Sequence, residues 1–298
     1  MVAPLGINFW GTRGLISSPS RERAMFGGNT PCIQILHHDH LILVDTGFGV
    51  SNLGEILLER ILQNRETLEI YIFYTHFHWD HIQGLPFFQP IYFSKTKLHL
   101  FFPGPVDSMV ANLDVLFDGS YSPFSGIKSM PSHIEFHSLS DPLLLHGLKI
   151  EYCPVDHVTD KGVISSHAFA YKMTSPEDHT ICIATDHEAR DSALNNQLID
   201  FCKDCNLLVH DAQFTQKEYK SKVNWGHSSI DQALSNASKM NAEQVLLTHH
   251  YPARSDREIQ KIFKDMLKKK AFQHLDFEFA REGVDYQAVK AIPSAKVG

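Results

Sequence analysis

Short apolar runs that stop abruptly at a polar residue dominate the hydrophobic pattern of the chain. Ile70-Tyr71-Ile72-Phe73-Tyr74 is apolar throughout and ends at Thr75-His76-Phe77-His78-Trp79-Asp80-His81. A run without alternation suits a strand buried on both faces, as in a sheet covered by other layers. Upstream, residues 5–10 predict a first strand, followed by a turn at Gly11-Thr12-Arg13-Gly14 and a polar loop to Arg23. Residues 32–36 and 41–45 predict two strands joined at His37-His38-Asp39-His40, whose three histidines are expected in solvent. Residues 52–63 carry helical spacing. Beyond the cluster, residues 98–102 predict a strand. Residues 103–132 are irregular and rich in Gly, Pro and Ser, with one helix-like piece at 107–117, and are a candidate lid. Residues 134–139 and 143–152 predict two more strands with a turn at Asp141-Pro142.

The second half repeats this logic. Strand-like runs end at Asp156-His157, Asp186, His210-Asp211 and His249-His250, and a further strand is expected over 167–173. Helical spacing covers 193–203, 214–222, 229–240 and 256–270. Apolar strands alternating with helices predict an α/β fold. The two halves share architecture but no readable repeat, so residues 1–298 are expected to form one domain.

The strand ends carry the candidate chemistry. In an extended segment residues i and i+2 face the same side, so His76 and His78 can converge on one point. Asp80 and His81, past the strand end, can reach a second point. One tetrahedral ion could hardly use all four groups, whereas two adjacent ions could, each completed from elsewhere in the chain. Imidazole and carboxylate donors suit Zn(II), Mn(II) or Fe(II). His157 is the best-placed partner for His76 and His78, with His167 as fallback; His249 ranks ahead of its neighbour His250 as partner for Asp80 and His81. Asp186 can bridge both ions through its two oxygens. Asp45, followed by Gly47, reads either as a helix N-cap or as a carboxylate that orients a ligand histidine.

Composition narrows the field. The net charge of −7 lacks the basic balance of broad nucleic-acid binders. Five cysteines, mostly in strand-like runs, are expected to be reduced and buried, which fits a cytoplasmic protein; Cys202 and Cys205 read as structural. The N-terminus lacks the pattern of a signal peptide, and no apolar stretch reaches the length of about 20 residues needed to span a membrane.

The pattern His-x-His-x-Asp-His over 76–81 resembles the signature of the metallo-β-lactamase superfamily. That resemblance implies an αββα sandwich of two mixed β-sheets flanked by helices. It also implies the ligand order found here: the cluster, then His157, a bridging Asp186, and His249. Phe9-Trp10-Gly11-Thr12-Arg13-Gly14, Phe26-Gly27-Gly28-Asn29-Thr30, Trp79 to Phe88, His210-Asp211-Ala212-Gln213 and Trp225-Gly226-His227-Ser228 look like its phosphodiesterase branch, similar to phosphoribosyl cyclic phosphodiesterases and tRNA 3′-processing nucleases. In such relatives Asp211 and His227 lie near the metals.

The implied function is hydrolysis of a small or cyclic phosphodiester through a hydroxide held between two divalent ions, Zn or Mn, with Fe as a third option. Asp80 and His227 are the expected catalytic groups. His227 sits in a loop that opens a helix, where it serves as general acid or phosphate ligand or simply caps the helix. The backbone of Gly27-Gly28-Asn29 lines a phosphate pocket or forms a plain turn. The rival activities on the same fold are a tRNA 3′-processing-type endoribonuclease and a thioester or lactone hydrolase. A tRNA-processing relative should carry a basic arm, whereas residues 103–132 hold one Lys and no Arg. The expected partner is therefore a small phosphodiester, with nucleic acid second, no membrane, and a homodimer as the assembly considered.

Overall fold

The computed structural model describes residues 5–120, 122–158, 164–165 and 168–288. The first half supplies β1 (Gly6–Gly11), β2 (Cys32–His37), β3 (His40–Val44), α1 (Val50–Asn64), β4 (Leu68–Phe73), the one-turn α2 (Trp79–Ile82), β5 (Thr96–Phe102), α3 (Val106–Asp114) and β6 (His133–Ser138). The second half begins with β7 (Leu143–Leu145), β8 (Leu148–Pro154) and the small pair β9 (His157–Val158) and β10 (Ile164–Ser165). It continues with β11 (Phe169–Thr174), β12 (Thr180–Ala184), α4 (Ala193–Phe201), β13 (Leu207–Asp211), α5 (Gln216–Tyr219), α6 (Ile230–Met240), β14 (Gln244–Thr248), α7 (Asp256–Leu267), β15 (Phe277–Phe279) and β16 (Asp285–Gln287).

Among the described residues the large sheets are two, of seven strands each, ordered β16-β1-β2-β3-β4-β5-β6 and β15-β14-β13-β12-β11-β8-β7. Both are mixed. The first is parallel from β3 to β6 and antiparallel beyond β3; the second is parallel from β12 to β15 and antiparallel from β12 to β7.

The apolar pattern explains the layering. Along β4, Tyr71 and Phe73 meet residues of the other sheet, including Tyr171, Met173, Ile183 and Val209. Leu68, Ile70, Ile72 and the following Tyr74 join Leu53, Leu57 and Ile61 of α1 on the opposite face. The second sheet likewise packs its outer face under α4, α6 and α7. Four layers, helix–sheet–sheet–helix, therefore follow from strands with two buried faces.

Several sequence expectations shift. His37 is buried, with Nε2 against the His146 carbonyl at 3.0 Å, so the 37–40 turn is not wholly in solvent. Residues 143–152 form a hairpin, because His146 and Gly147 both adopt positive φ (50° and 84°) and close a tight turn. The helix foreseen over 214–222 is reduced to the single turn α5, and residues 107–117 split into α3 and a 3-10 turn at 115–117. His167 lies outside the described residues. The five cysteines are free and buried, as expected. No helix among the described residues is long and apolar enough to cross a membrane.

Candidate metal centre

The polar strand ends of both sheets meet at one edge of the sandwich. His76, His78, His157 and Asp186 place one ligand atom each within 4.8 Å of one another, and so do Asp80, His81, Asp186 and His249. Asp186 belongs to both groups. Its Oδ1 lies 3.0 Å from His81 Nε2 and 3.1 Å from His249 Nε2; its Oδ2 lies 3.6 Å from His76 Nε2 and 3.9 Å from His157 Nε2. Asp80 Oδ2 approaches His249 Nε2 at 3.2 Å and His81 Nε2 at 3.6 Å. His78 Nδ1 and His157 Nε2 are 2.9 Å apart.

Three of the residues that build the centre take left-handed backbone conformations just past their strands. They are Asp45 after β3, Asp186 after β12 and His249 after β14, with φ of 61°, 47° and 60°. Such conformations cost energy for non-glycine residues and persist where the surroundings hold them. Here each turns a side chain out of the strand direction towards the common point.

A surrounding layer of bonds sets which ring nitrogen faces inwards. His81 donates Nδ1–H to Asp45 Oδ2 at 2.8 Å. Asp45 also accepts from the Thr75 amide and hydroxyl, at 2.8 Å each. The Thr75 hydroxyl in turn meets His76 Nδ1 at 3.0 Å. His157 donates Nδ1–H to the Gly226 carbonyl at 2.9 Å. In each ring Nε2 is left to face the centre, the arrangement that prepares a histidine for a metal. Asp45 is thus an orienting group; the N-cap of α1 is Gly49. The Leu15 amide donates to Asp80 Oδ2 at 2.8 Å, which ties the Thr12–Leu15 turn to the centre.

Whether these residues fit divalent ions can be judged from what they lack. Nε2 of His76, Nε2 of His81 and Oδ1 of Asp186 are fully buried without a hydrogen-bond partner. Buried polar atoms are otherwise almost always satisfied. Four carboxylates, Asp45, Asp80, Asp186 and Asp211, are buried together, an excess of negative charge that calls for cations. Burial favours the neutral carboxyl of Asp186, yet the charges of His249 and His81 hold it well below the usual range. Burial pushes the His157 imidazole down to about 4 and also holds His76 well below its ordinary range, so both are neutral donors at ordinary pH. The donor set fits two divalent ions, one in each group of four, with Asp186 between them.

His227 lies beside both groups, with its ring 4.8 Å from that of His249 and 5.4 Å from that of His157. Its Nδ1 donates to Asp211 Oδ2 at 2.7 Å, while Asp211 Oδ1 accepts from the amides of Ser228 and Gln213. Burial alone would lower the imidazolium, but the Asp211 charge outweighs it and holds it up at about 9. The helix that follows is capped by Ser229, so His227 is free of that duty. Asn29 is drawn elsewhere: its amide and Nδ2 both donate to Glu282, at 2.6 and 3.1 Å.

Three supporting residues went unassigned in the sequence. Glu188, wholly buried, accepts from the amides of Asn224 and Gly226 and from the Tyr219 hydroxyl, and so fixes the loop that carries the Gly226 carbonyl and His227. The Gln213 side-chain amide caps His249 Nδ1 at 3.0 Å. At Gly14 a Cβ atom would lie 2.2 Å from His249 Cε1, so only glycine lets the turn pass the ring. All three contacts span long sequence separations, and no local spacing signals them.

Beside the centre opens an apolar pocket of about 730 Å³, lined in part by Phe48, Trp79, Phe87, Tyr92, Leu116 and Phe124. Trp79 sits between His78 and Asp80 in the chain. The 103–132 excursion supplies Leu116 and Phe124, so it forms a wall of this pocket.

Comparison with known proteins places this geometry. The family model described as "Beta-lactamase superfamily domain" matches residues 40–250. Ribonuclease Z of Bacillus subtilis (strain 168) is 24% identical over 233 residues, covering 64% of this chain and 74% of that protein. The metallo-β-lactamase fold protein YhfI from Bacillus subtilis superposes with a TM-score of 0.66 at 17% identity, covering 95% of this chain and 99% of that one. A diphosphatase from the PhnP family superposes with a TM-score of 0.62 at 18% identity, covering 95% and 97%. The chain belongs to the beta-lactamase superfamily domain family and has the metallo-β-lactamase fold.

Proposed function

We propose that the chain hydrolyses a small or cyclic phosphodiester, using two divalent ions, zinc or manganese with iron as a third option. His76, His78, His157 and Asp186 hold one ion; Asp80, His81, His249 and Asp186 hold the other. The observation that carries this reading is the pair of four-donor groups sharing Asp186. Two such ions supply an activated water near neutral pH and neutralise the charge that builds on a phosphoryl oxygen. The residues do the rest. Asp45 and Thr75 keep His81 and His76 in the ligating tautomer, so these imidazoles need not reorganise during turnover. Asp211 keeps a proton on His227, which leaves Nε2–H to protonate the departing alkoxide. The apolar pocket takes the ester group, and its walls keep bulk water from the reacting phosphorus.

A second reading, tRNA 3′-processing, draws support from the curated relatives, which carry the name Ribonuclease Z. Against it stands the 103–132 excursion, which holds one Lys and no Arg and forms an apolar wall rather than a basic arm. Bis-p-nitrophenyl phosphate, cyclic nucleotides, cyclic sugar phosphates and a precursor tRNA, assayed side by side, separate the two readings. Asp80→Ala and His81→Ala should abolish hydrolysis of the diester while leaving the protein folded; activity like that of the unmodified chain in either variant would sink the assignment.

A further inference from the structure

A second constellation of metal-ligand type lies at the open edge of the first sheet, away from the strand ends that build the catalytic centre. β5 and β6 run parallel with His99 paired to Glu135 and Phe101 paired to His137. Glu135 and His137 are two apart on β6 and so face one side of the sheet, the side on which His99 stacks against Tyr71 at 4.8 Å. Three donor atoms converge there. His99 Nδ1 is 3.1 Å from His137 Nε2 and 3.2 Å from Glu135 Oε2, and His137 Nε2 is 3.6 Å from Glu135 Oε2.

These separations have a physical meaning. A tetrahedral zinc ion with bonds of about 2.0–2.1 Å needs donor atoms roughly 3.3–3.4 Å apart. The three distances bracket that edge length. Neighbouring groups then fix which atoms are available. His99 Nε2–H donates to Glu69 Oε1 at 2.9 Å, which leaves Nδ1 as a lone-pair donor. The other Glu135 oxygen, Oε1, is engaged by Lys97 Nζ at 3.1 Å and His133 Nε2 at 3.0 Å, which leaves Oε2 facing the two imidazoles. Stacking of His137 on Phe101, with ring centroids 4.5 Å apart, holds its ring in place.

We propose that His99 Nδ1, Glu135 Oε2 and His137 Nε2 form a peripheral site for a zinc-class divalent transition ion, with Glu69 orienting His99 and the fourth position open to solvent. Two imidazoles and one carboxylate suit zinc and disfavour magnesium or calcium, which take all-oxygen sets. The ion would clamp β5 to the edge strand β6. This proposal stands apart from the catalytic reading, since none of its residues belongs to that centre.

Equilibrium dialysis of the chelator-stripped full-length chain against buffered micromolar free zinc, with bound metal counted per chain, tests it. The expected result is that His137→Ala and Glu135→Gln each retain one ion fewer than the unmodified chain while hydrolysis of bis-p-nitrophenyl phosphate is unchanged. Glu135→Gln keeps the shape of the side chain and decides the matter if His137→Ala fails to fold. Unchanged metal content in the folded variants would overturn the proposal.

Discussion

At the scale of single residues, the centre depends on how closely neighbours hold each ligand. Gly14 shows this best, because any side chain there would occupy the space of the His249 ring. Gly14→Ala should displace His249, weaken the ion held with Asp80 and His81, and lower turnover by roughly 10²-fold, the usual cost of a displacement of about 1 Å at a reacting centre. Metal content and thermal unfolding, measured on one preparation, separate loss of the ion from loss of the fold. The proposed ligands are marked in the sequence by apolar runs that end abruptly just before them: Ile70 to Tyr74 before His76, Ile181 to Ala184 before Asp186, and Val245 to Leu247 before His249. The supports are not. Glu188 acts across more than thirty residues on Asn224 and Gly226, and Gln213 acts on His249 at a similar separation. Such contacts exist only once both sheets are assembled.

At the scale of elements, strands were easier to read than their partners. The buried interior strands β4, β12, β13 and β14 announce themselves by the apolar runs at their cores, 70–73, 181–184, 207–209 and 245–247. The three-residue strands β15 and β16 were not read from the sequence: they are too short to show a period, and β16 pairs with β1 from the other end of the chain. The hairpin between β7 and β8 was hidden because His at a positive-φ turn position carries little signal. The 103–132 excursion was legible as irregular, but its role as a pocket wall rests on packing of Leu116 and Phe124 opposite Phe48 and Phe87. Phe87 is 55% exposed, so truncating it should spare the fold. Phe87→Ala should raise KM for bis-p-nitrophenyl phosphate about tenfold and leave kcat near its original value, since about 1.5 kcal/mol or more of apolar contact is lost in ground and transition states alike. A fall in kcat with unchanged KM would remove the pocket from substrate binding.

At the scale of the whole molecule, the centre joins layers that are otherwise held by apolar packing. His76, His78, Asp80 and His81 follow β4 of the first sheet, whereas His157, Asp186 and His249 follow strands of the second. On the proposed reading, ions shared through Asp186 would bind the two sheets to each other; Nε2 of His76, Nε2 of His81 and Oδ1 of Asp186 are buried without hydrogen-bond partners. Ions present at about 1,000 times their dissociation constant contribute about 4 kcal/mol each, so chelation should lower Tm by roughly 10 °C or more, and added zinc or manganese should restore it. The measurement that bears most directly on the central claim is a metal titration of activity. Chelator-stripped His137→Ala protein, which lacks the peripheral site, is supplied with metal in steps, and hydrolysis of bis-p-nitrophenyl phosphate is followed. A shared Asp186 requires that activity start from nothing and reach its plateau at two ions per chain. A plateau at one ion, or hydrolysis that survives in the stripped protein, would contradict it.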